Sequence, residues 1–309
     1  MRIREPGKVC EGLWYLGRKE SGVYLLEGSK EAMIISGGMS YIVPSILKQM
    51  EEFGIDRNRI KKLLILHSHF DHVGIVPFFK RSQPDLEIYA SARAWEILAM
   101  PKAIETINAF SRDVAERMGM TGALESYDLD WSDDVKGLTV REGDRIDLDG
   151  TEVLVIETPG HSSCAISAYA PALNALFPSD SGGIPFGEII ISSGNSNYAK
   201  YQESLEKLKT FEVKHYCADH YGYVTGEEAA RFISRSIECA EEHRELMEKT
   251  YLKTRDIDRA VDELMPAFYR DNPDYFLSPE IFRGVYRQMI KHIAQALEEK
   301  KSPSGRQSR

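Results

Sequence analysis

Lys62-Leu63-Leu64-Ile65-Leu66 runs directly into His67-Ser68-His69-Phe70-Asp71-His72. A short continuous apolar run is what a strand buried on both faces presents. Three of the chain's eight histidines fall in the six residues behind it. Imidazole and carboxylate groups are the donors that zinc- or iron-type ions take, and alternate residues of an extended segment project to the same side. His67 and His69 can therefore meet one ion. Asp71 and His72 lie past the strand end, near Gly74 and the start of a helical pattern, where they can turn toward a second. Clustered His and Asp residues also decorate solvated loops. Four of them behind a buried strand argue instead for a site, which should draw further ligands from other strand-end loops.

Three such loops are present. Thr158-Pro159-Gly160-His161-Ser162 follows the strand pattern Val153 to Glu157, and Pro-Gly forces a sharp turn there. Ser179-Asp180-Ser181-Gly182-Gly183 follows Leu176-Phe177. Asp219-His220-Tyr221-Gly222 follows Tyr216-Cys217-Ala218, which reads as the last short strand.

Working outward, Gly22 to Glu27 and Glu31 to Ser36 read as two strands joined by Gly28-Ser29-Lys30, and Ile42 to Phe53 as a helix stopped at Gly54. Glu87 to Ala90 is a short strand, and Ala92 to Met118 a long, partly irregular helical segment. Asp149-Gly150 marks a hairpin between Arg145–Leu148 and Thr151–Ile156. Ala165 to Ala170 and Leu173 to Phe177 are apolar stretches, and Tyr198 to Phe211 an amphipathic helix. After Gly226 the pattern is helical through Glu227–Tyr251, Asp256–Tyr269 and Ser278–Glu299. The pattern divides the chain into a main domain at 1–250, an appended helical cap at 251–300 and a polar, disordered tail at 301–309.

Composition bounds the function. With 42% hydrophobic and 28% charged residues the chain is an ordinary globular one, and a net charge of −9 argues against nucleic acid or an anionic membrane as partner. No apolar run reaches the length of a membrane span, and the first residues lead into no signal-peptide region, so a cytoplasmic location is expected. Cys10, Cys164, Cys217 and Cys239 are scattered, which predicts buried free thiols rather than disulfides or a thiolate zinc site.

Taken together, H-x-H-x-D-H at 67–72, T-P-G-H-S at 158–162, Asp180 and His220 resemble, in order and approximate spacing over roughly residues 20 to 245, the metallo-β-lactamase superfamily. The resemblance implies an α/β fold, the αββα sandwich of two mixed sheets flanked by helices. It implies two divalent metal ions, zinc or iron, with manganese also tolerated by such ligands. His67, His69 and His161 would hold the first, Asp71, His72 and His220 the second, with Asp180 bridging. The chain departs from the usual pattern at Ser179 and Asp219, where glycine is common; neither change removes a ligand. Asp219 reads either as a partner behind a ligand or as a turn carboxylate.

The implied activity is hydrolysis of an ester-type bond, a thioester of acyl-CoA kind or a lactone, by metal-bridged hydroxide. Asp71 and Asp180 would belong to the catalytic centre, and the hydroxyl of Tyr221, or of Tyr223, is a candidate to stabilise the oxyanion. His69 in place of glutamate, with no following flavodoxin-like domain, disfavours the flavodiiron branch. His72 and the cysteine-free second set disfavour the true β-lactamases, and the first motif lacks the glycine of the tRNA-processing branch. Length and C-terminal helices resemble the quinolone-signal response type, thioesterases of 2-aminobenzoylacetyl-coenzyme A. Phe268, Tyr269, Tyr275, Phe276, Phe282 and Tyr286 would then form an apolar lid over a small-molecule substrate with an acyl or aromatic group, or simply pack the helices onto the core. Two alternatives stand beside this. One is a mononuclear iron sulfur dioxygenase using only His67, His69 and His161. The other is a metal-stabilised regulatory protein with the cap as docking surface. Homodimerisation through the cap helices is a further expectation.

Overall fold

The computed structural model describes residues 1–301. Its first half supplies β1 (Arg2–Ile3), β2 (Gly7–Cys10), β3 (Leu13–Arg18), β4 (Ser21–Glu27), β5 (Ala32–Ile35), β6 (Ile60–Leu64), β7 (Glu87–Ser91) and β8 (Leu138–Val140). The second half adds β9 (Arg145–Asp147), β10 (Glu152–Glu157), β11 (Ile166–Ala170) and β12 (Ala175–Phe177). The small hairpin β13 (Ile184–Phe186) and β14 (Ile189–Ile191) follows, then β15 (His215–Cys217) and β16 (Tyr223–Thr225). Two seven-stranded sheets result, ordered β2-β3-β4-β5-β6-β7-β8 and β1-β16-β15-β12-β11-β10-β9. Both are mixed: β5 to β8 run parallel, as do β12 and β15, and the other pairs are antiparallel.

Side-chain alternation along the strands builds the layers. Tyr24, Leu26, Met33 and Leu64 of the first sheet meet Val155, Ala168 and Phe177 of the second in a core between the sheets. The alternate residues Val23, Leu25, Ile34 and Leu63 face the other way, under the first set of helices. These are α1 (Val43–Glu52), α2 (Val76–Ser82), α3 (Ala92–Leu98), α4 (Pro101–Arg117) and α5 (Thr121–Ser126). On the far side Ile156, Leu176 and Tyr216 lie under α6 (Tyr198–Leu208), α7 (Glu227–Thr254), α8 (Ile257–Asp271) and α9 (Pro279–Lys301). The order is helix, sheet, sheet, helix, the αββα sandwich with added C-terminal helices.

Several boundaries differ from the sequence reading. The apolar run at 62–66 leaves the ladder after Leu64, yet Ile65 still donates to Tyr89 O at 2.8 Å, and Ile166 of the opposite sheet donates to Leu66 O at 2.9 Å. The segment 92–118 is two helices, because Pro101 lacks an amide donor and starts a new one. Tyr216–Ala218 is not the last strand, since β16 follows the His220 turn and pairs back on β15. The expected boundary at 250/251 falls within α7, and α8 and α9 share one apolar core with α6, α7 and the second sheet. The tail expected at 301–309 lies outside the described residues except for Lys301, which closes α9. All four cysteines are free, with Cys164 and Cys217 buried and Cys10 and Cys239 half-buried. Among the described residues no helix is long and apolar enough to cross a membrane.

Candidate metal centre

Each donor comes from a loop leaving a strand at one edge of the sandwich. His67 and His69 follow β6, and a single 3₁₀ turn at Phe70–His72 swings Asp71 and His72 inward. His161 sits in the β10–β11 turn, Asp180 in a 3₁₀ turn behind β12, and His220 between β15 and β16. Gly160 holds φ +131°, and a Cβ there would meet Tyr201 N at 2.2 Å, so only glycine lets this turn seat against α6.

The seven residues expected from the sequence are brought together. His67 Nε2, His69 Nδ1 and His161 Nε2 lie 3.0–3.2 Å from one another. His72 Nε2 and His220 Nε2 are 3.2 Å apart, and Asp71 Oδ2 is 3.7 Å from the first and 3.6 Å from the second. Asp180 stands between the groups, with Oδ2 3.3 Å from His72 Nε2 and 3.4 Å from His161 Nε2. Both triads, His67/His69/His161 and Asp71/His72/His220, could hold a metal ion.

Hydrogen bonds on the outer side of the rings fix which nitrogen faces inward. His161 Nδ1 donates to Ser193 O at 2.9 Å, His220 Nδ1 to Glu20 O at 2.7 Å, and His72 Nδ1 to Asp219 Oδ2 at 2.8 Å. With Nδ1 as the donor, each Nε2 faces into the site, the orientation that metal-binding histidines require. Burial, with neighbouring histidines adding to it, holds His67 well below the usual imidazole value; burial likewise brings His69 and His161 down to about 4. All three are therefore neutral donors at physiological pH. Burial would also depress His72, but Asp180, Asp71 and Asp219 outweigh it and hold His72 well above the ordinary value. Burial would raise Asp180, yet His72, His220 and His161 outweigh it and keep that carboxyl far below the usual carboxylate range. Three neutral imidazoles and an ionised carboxylate, with orientations already fixed, fit divalent metal binding.

Above this floor opens a cavity of about 720 Å³. His69, Asp71, His161 and Asp180 form its base. Met100, Ile107 and Phe110 form one apolar wall, and Phe276, Phe282 and Val285 another, while Ser162, Ser193 and Asn195 make a polar side. Of the six C-terminal aromatics, Tyr275, Phe276 and Phe282 reach the cavity; Phe268, Tyr269 and Tyr286 pack among the helices. The cluster thus divides between residues that line the cavity and residues that pack the helices together.

Tyr221 is placed elsewhere. It is 5% exposed, does not line the cavity, and its hydroxyl accepts the Phe276 amide at 3.0 Å. Tyr223 lies in β16 and packs on Tyr15 in the core between the sheets. Asp219 proves to be the partner behind His72. Sequence reasoning missed Glu20 and Ser193, because their contribution to His220 and His161 is a main-chain carbonyl that any residue carries. Ser193 also places its hydroxyl 3.0 Å from His161 Nδ1.

Residues 17–220 match the family model of the metallo-β-lactamase superfamily. Among solved structures, a metallo-β-lactamase family protein from Thermus thermophilus is similar, with a TM-score of 0.68 at 16% identity and 95% of each chain covered. A β-lactamase domain protein from Burkholderia ambifaria gives 0.67 at 17% identity, covering 97% of this chain and 90% of that one. An archaeal metallo-β-lactamase superfamily protein from Sulfolobus tokodaii gives 0.56 at 19% identity, covering 93% and 99%. At such identities the likeness is one of fold.

Proposed function

The chain belongs to the metallo-β-lactamase superfamily, and from that premise we propose that it is a dinuclear metal-dependent hydrolase of an ester-type bond, a thioester of acyl-coenzyme A kind or a lactone. One observation carries the reading: seven His and Asp donors converge in one cluster, and four of them, His69, Asp71, His161 and Asp180, form the base of a cavity of about 720 Å³ with apolar walls. When bound, a pair of divalent cations supplies a water that is nucleophilic near neutral pH and polarises a carbonyl oxygen. His67, His69 and His161 would hold one cation and Asp71, His72 and His220 the other, with Asp180 reaching both.

The chain's own groups do the rest. Asp180, ionised and facing both triads, accepts a hydrogen bond from the attacking water at Oδ2 and orients it. Met100, Ile107, Phe110, Phe276 and Phe282 take the acyl or aromatic group of a small-molecule substrate and exclude bulk water from the reacting carbonyl. Ser162, Ser193 and Asn195 offer hydrogen bonds to the polar remainder.

A panel of acyl- and aroyl-CoA thioesters, a lactone and a phosphodiester tests this, run before and after chelation. Thioester or lactone cleavage that chelator abolishes and metal restores is expected. No hydrolysis by metal-loaded protein across the panel would overturn the proposal.

A further inference from the structure

Ser179 and Asp219 sit 40 residues apart in sequence, on different loops, yet Ser179 Oγ donates to Asp219 Oδ2 at 2.5 Å. The same carboxylate oxygen accepts the Nδ1 proton of His72 at 2.8 Å. Ser179 Oγ also lies 3.2 Å from His67 Nδ1. Its one hydrogen goes to Asp219, so toward His67 it is the acceptor. One continuous relay therefore runs from His67 N–H to the Ser179 hydroxyl to the Asp219 carboxylate, which His72 N–H approaches from the other side. It joins a histidine of each triad through two side chains that are each 2% exposed.

We propose that Ser179 and Asp219 form a positioning pair that fixes the His67 and His72 rings with Nε2 turned inward, and that retention of the second cation depends on it. The inference rests on the dinuclear reading above. A role in folding alone accounts poorly for the pair. Asp219 Oδ1 is buried without a hydrogen-bond partner, and Ser179 holds φ +50°, a conformation that favours glycine. Each is a local cost to the fold. Each is offset if a carboxylate behind a ligating histidine strengthens that histidine as a donor.

The test titrates metal-stripped, full-length protein with zinc(II) against a chromophoric chelator, alongside melting of the metal-free protein. Wild type should take two zinc ions. Asp219→Ala should weaken the second by about 10–100-fold. Asp219→Asn, which keeps an acceptor for His72, should recover part of that loss. Ser179→Gly should loosen the second zinc while raising the metal-free melting temperature, because glycine relieves the left-handed backbone. Two zinc ions at unchanged affinity in Asp219→Ala would overturn this proposal alone, as would a loss of affinity that only follows a lower metal-free melting temperature in every variant. Fewer than two zinc ions on wild type would overturn the dinuclear reading and this proposal with it.

Discussion

Phe276 stacks on His220, their ring centroids 4.4 Å apart and their planes inclined by 22°. Phe276 lies in the segment between α8 and α9, so a residue of the C-terminal helices covers a histidine of the second triad and lines the cavity at the same time. Its amide is tied to the Tyr221 hydroxyl, and Tyr221 is the neighbour of His220 in sequence. The C-terminal segment and the donor set are thus coupled through two adjacent residues.

Replacing Phe276 by Ala removes an apolar wall and the stacked ring, a pair of the kind that contributes about 1 kcal/mol. The KM for acyl or aromatic thioesters should rise roughly fivefold, with Phe276→Leu falling between. Steady-state kinetics on the two variants check this; a fall in kcat at unchanged KM would contradict it.

Tyr221→Phe deletes only the acceptor of the Phe276 amide. It should cost about 1 kcal/mol of stability and raise KM, leaving kcat within about threefold. An oxyanion donor would behave differently, with kcat falling about 10²–10³-fold. A kcat loss of that size would return Tyr221 to the catalytic centre.

Asp71→Ala separates the two-metal reading from the mononuclear dioxygenase. It removes the carboxylate of the second triad and leaves His67, His69 and His161 intact. Hydrolysis should fall by at least about a hundredfold, while one metal per chain remains. Activity close to wild type would favour chemistry at the three histidines alone.

Metal uptake should respond to pH in two different ways. His69 and His161 are held down to about 4, so protons do not compete with metal for the first triad from neutral pH to about 5, and uptake fails only as pH falls toward 4. His72, held well above the usual value in the metal-free chain, carries a proton at neutral pH that a cation must displace. Zinc titrations between about pH 5 and 7 should show a flat first step and a second that strengthens as pH rises, with proton release. Equal pH slopes for both steps would contradict this.

The sequence was most legible where chemistry follows an apolar run. His67 to His72, His161, Asp180 and His220 stand out because strand-end loops carry sites, and the helical pattern after Gly226 fixes α7 to α9 to within a few residues. Strands β1, β2, β13 and β14 are only two to four residues long, and β3, Leu13–Arg18, has no clear alternation, so none of the five stands out in the sequence. Adjacency to His220 says nothing of the direction of the Tyr221 side chain, which runs to the C-terminal segment, where its hydroxyl meets the Phe276 amide. The meeting of Ser179 with Asp219 is a tertiary fact, which no local pattern could give.

Elemental analysis of the metal content of full-length protein, purified without chelator, tests the dinuclear centre most directly. About two divalent ions per chain, falling to one or fewer in His161→Ala and in His220→Ala, is the expected result. A wild-type protein that holds one ion or none would contradict it.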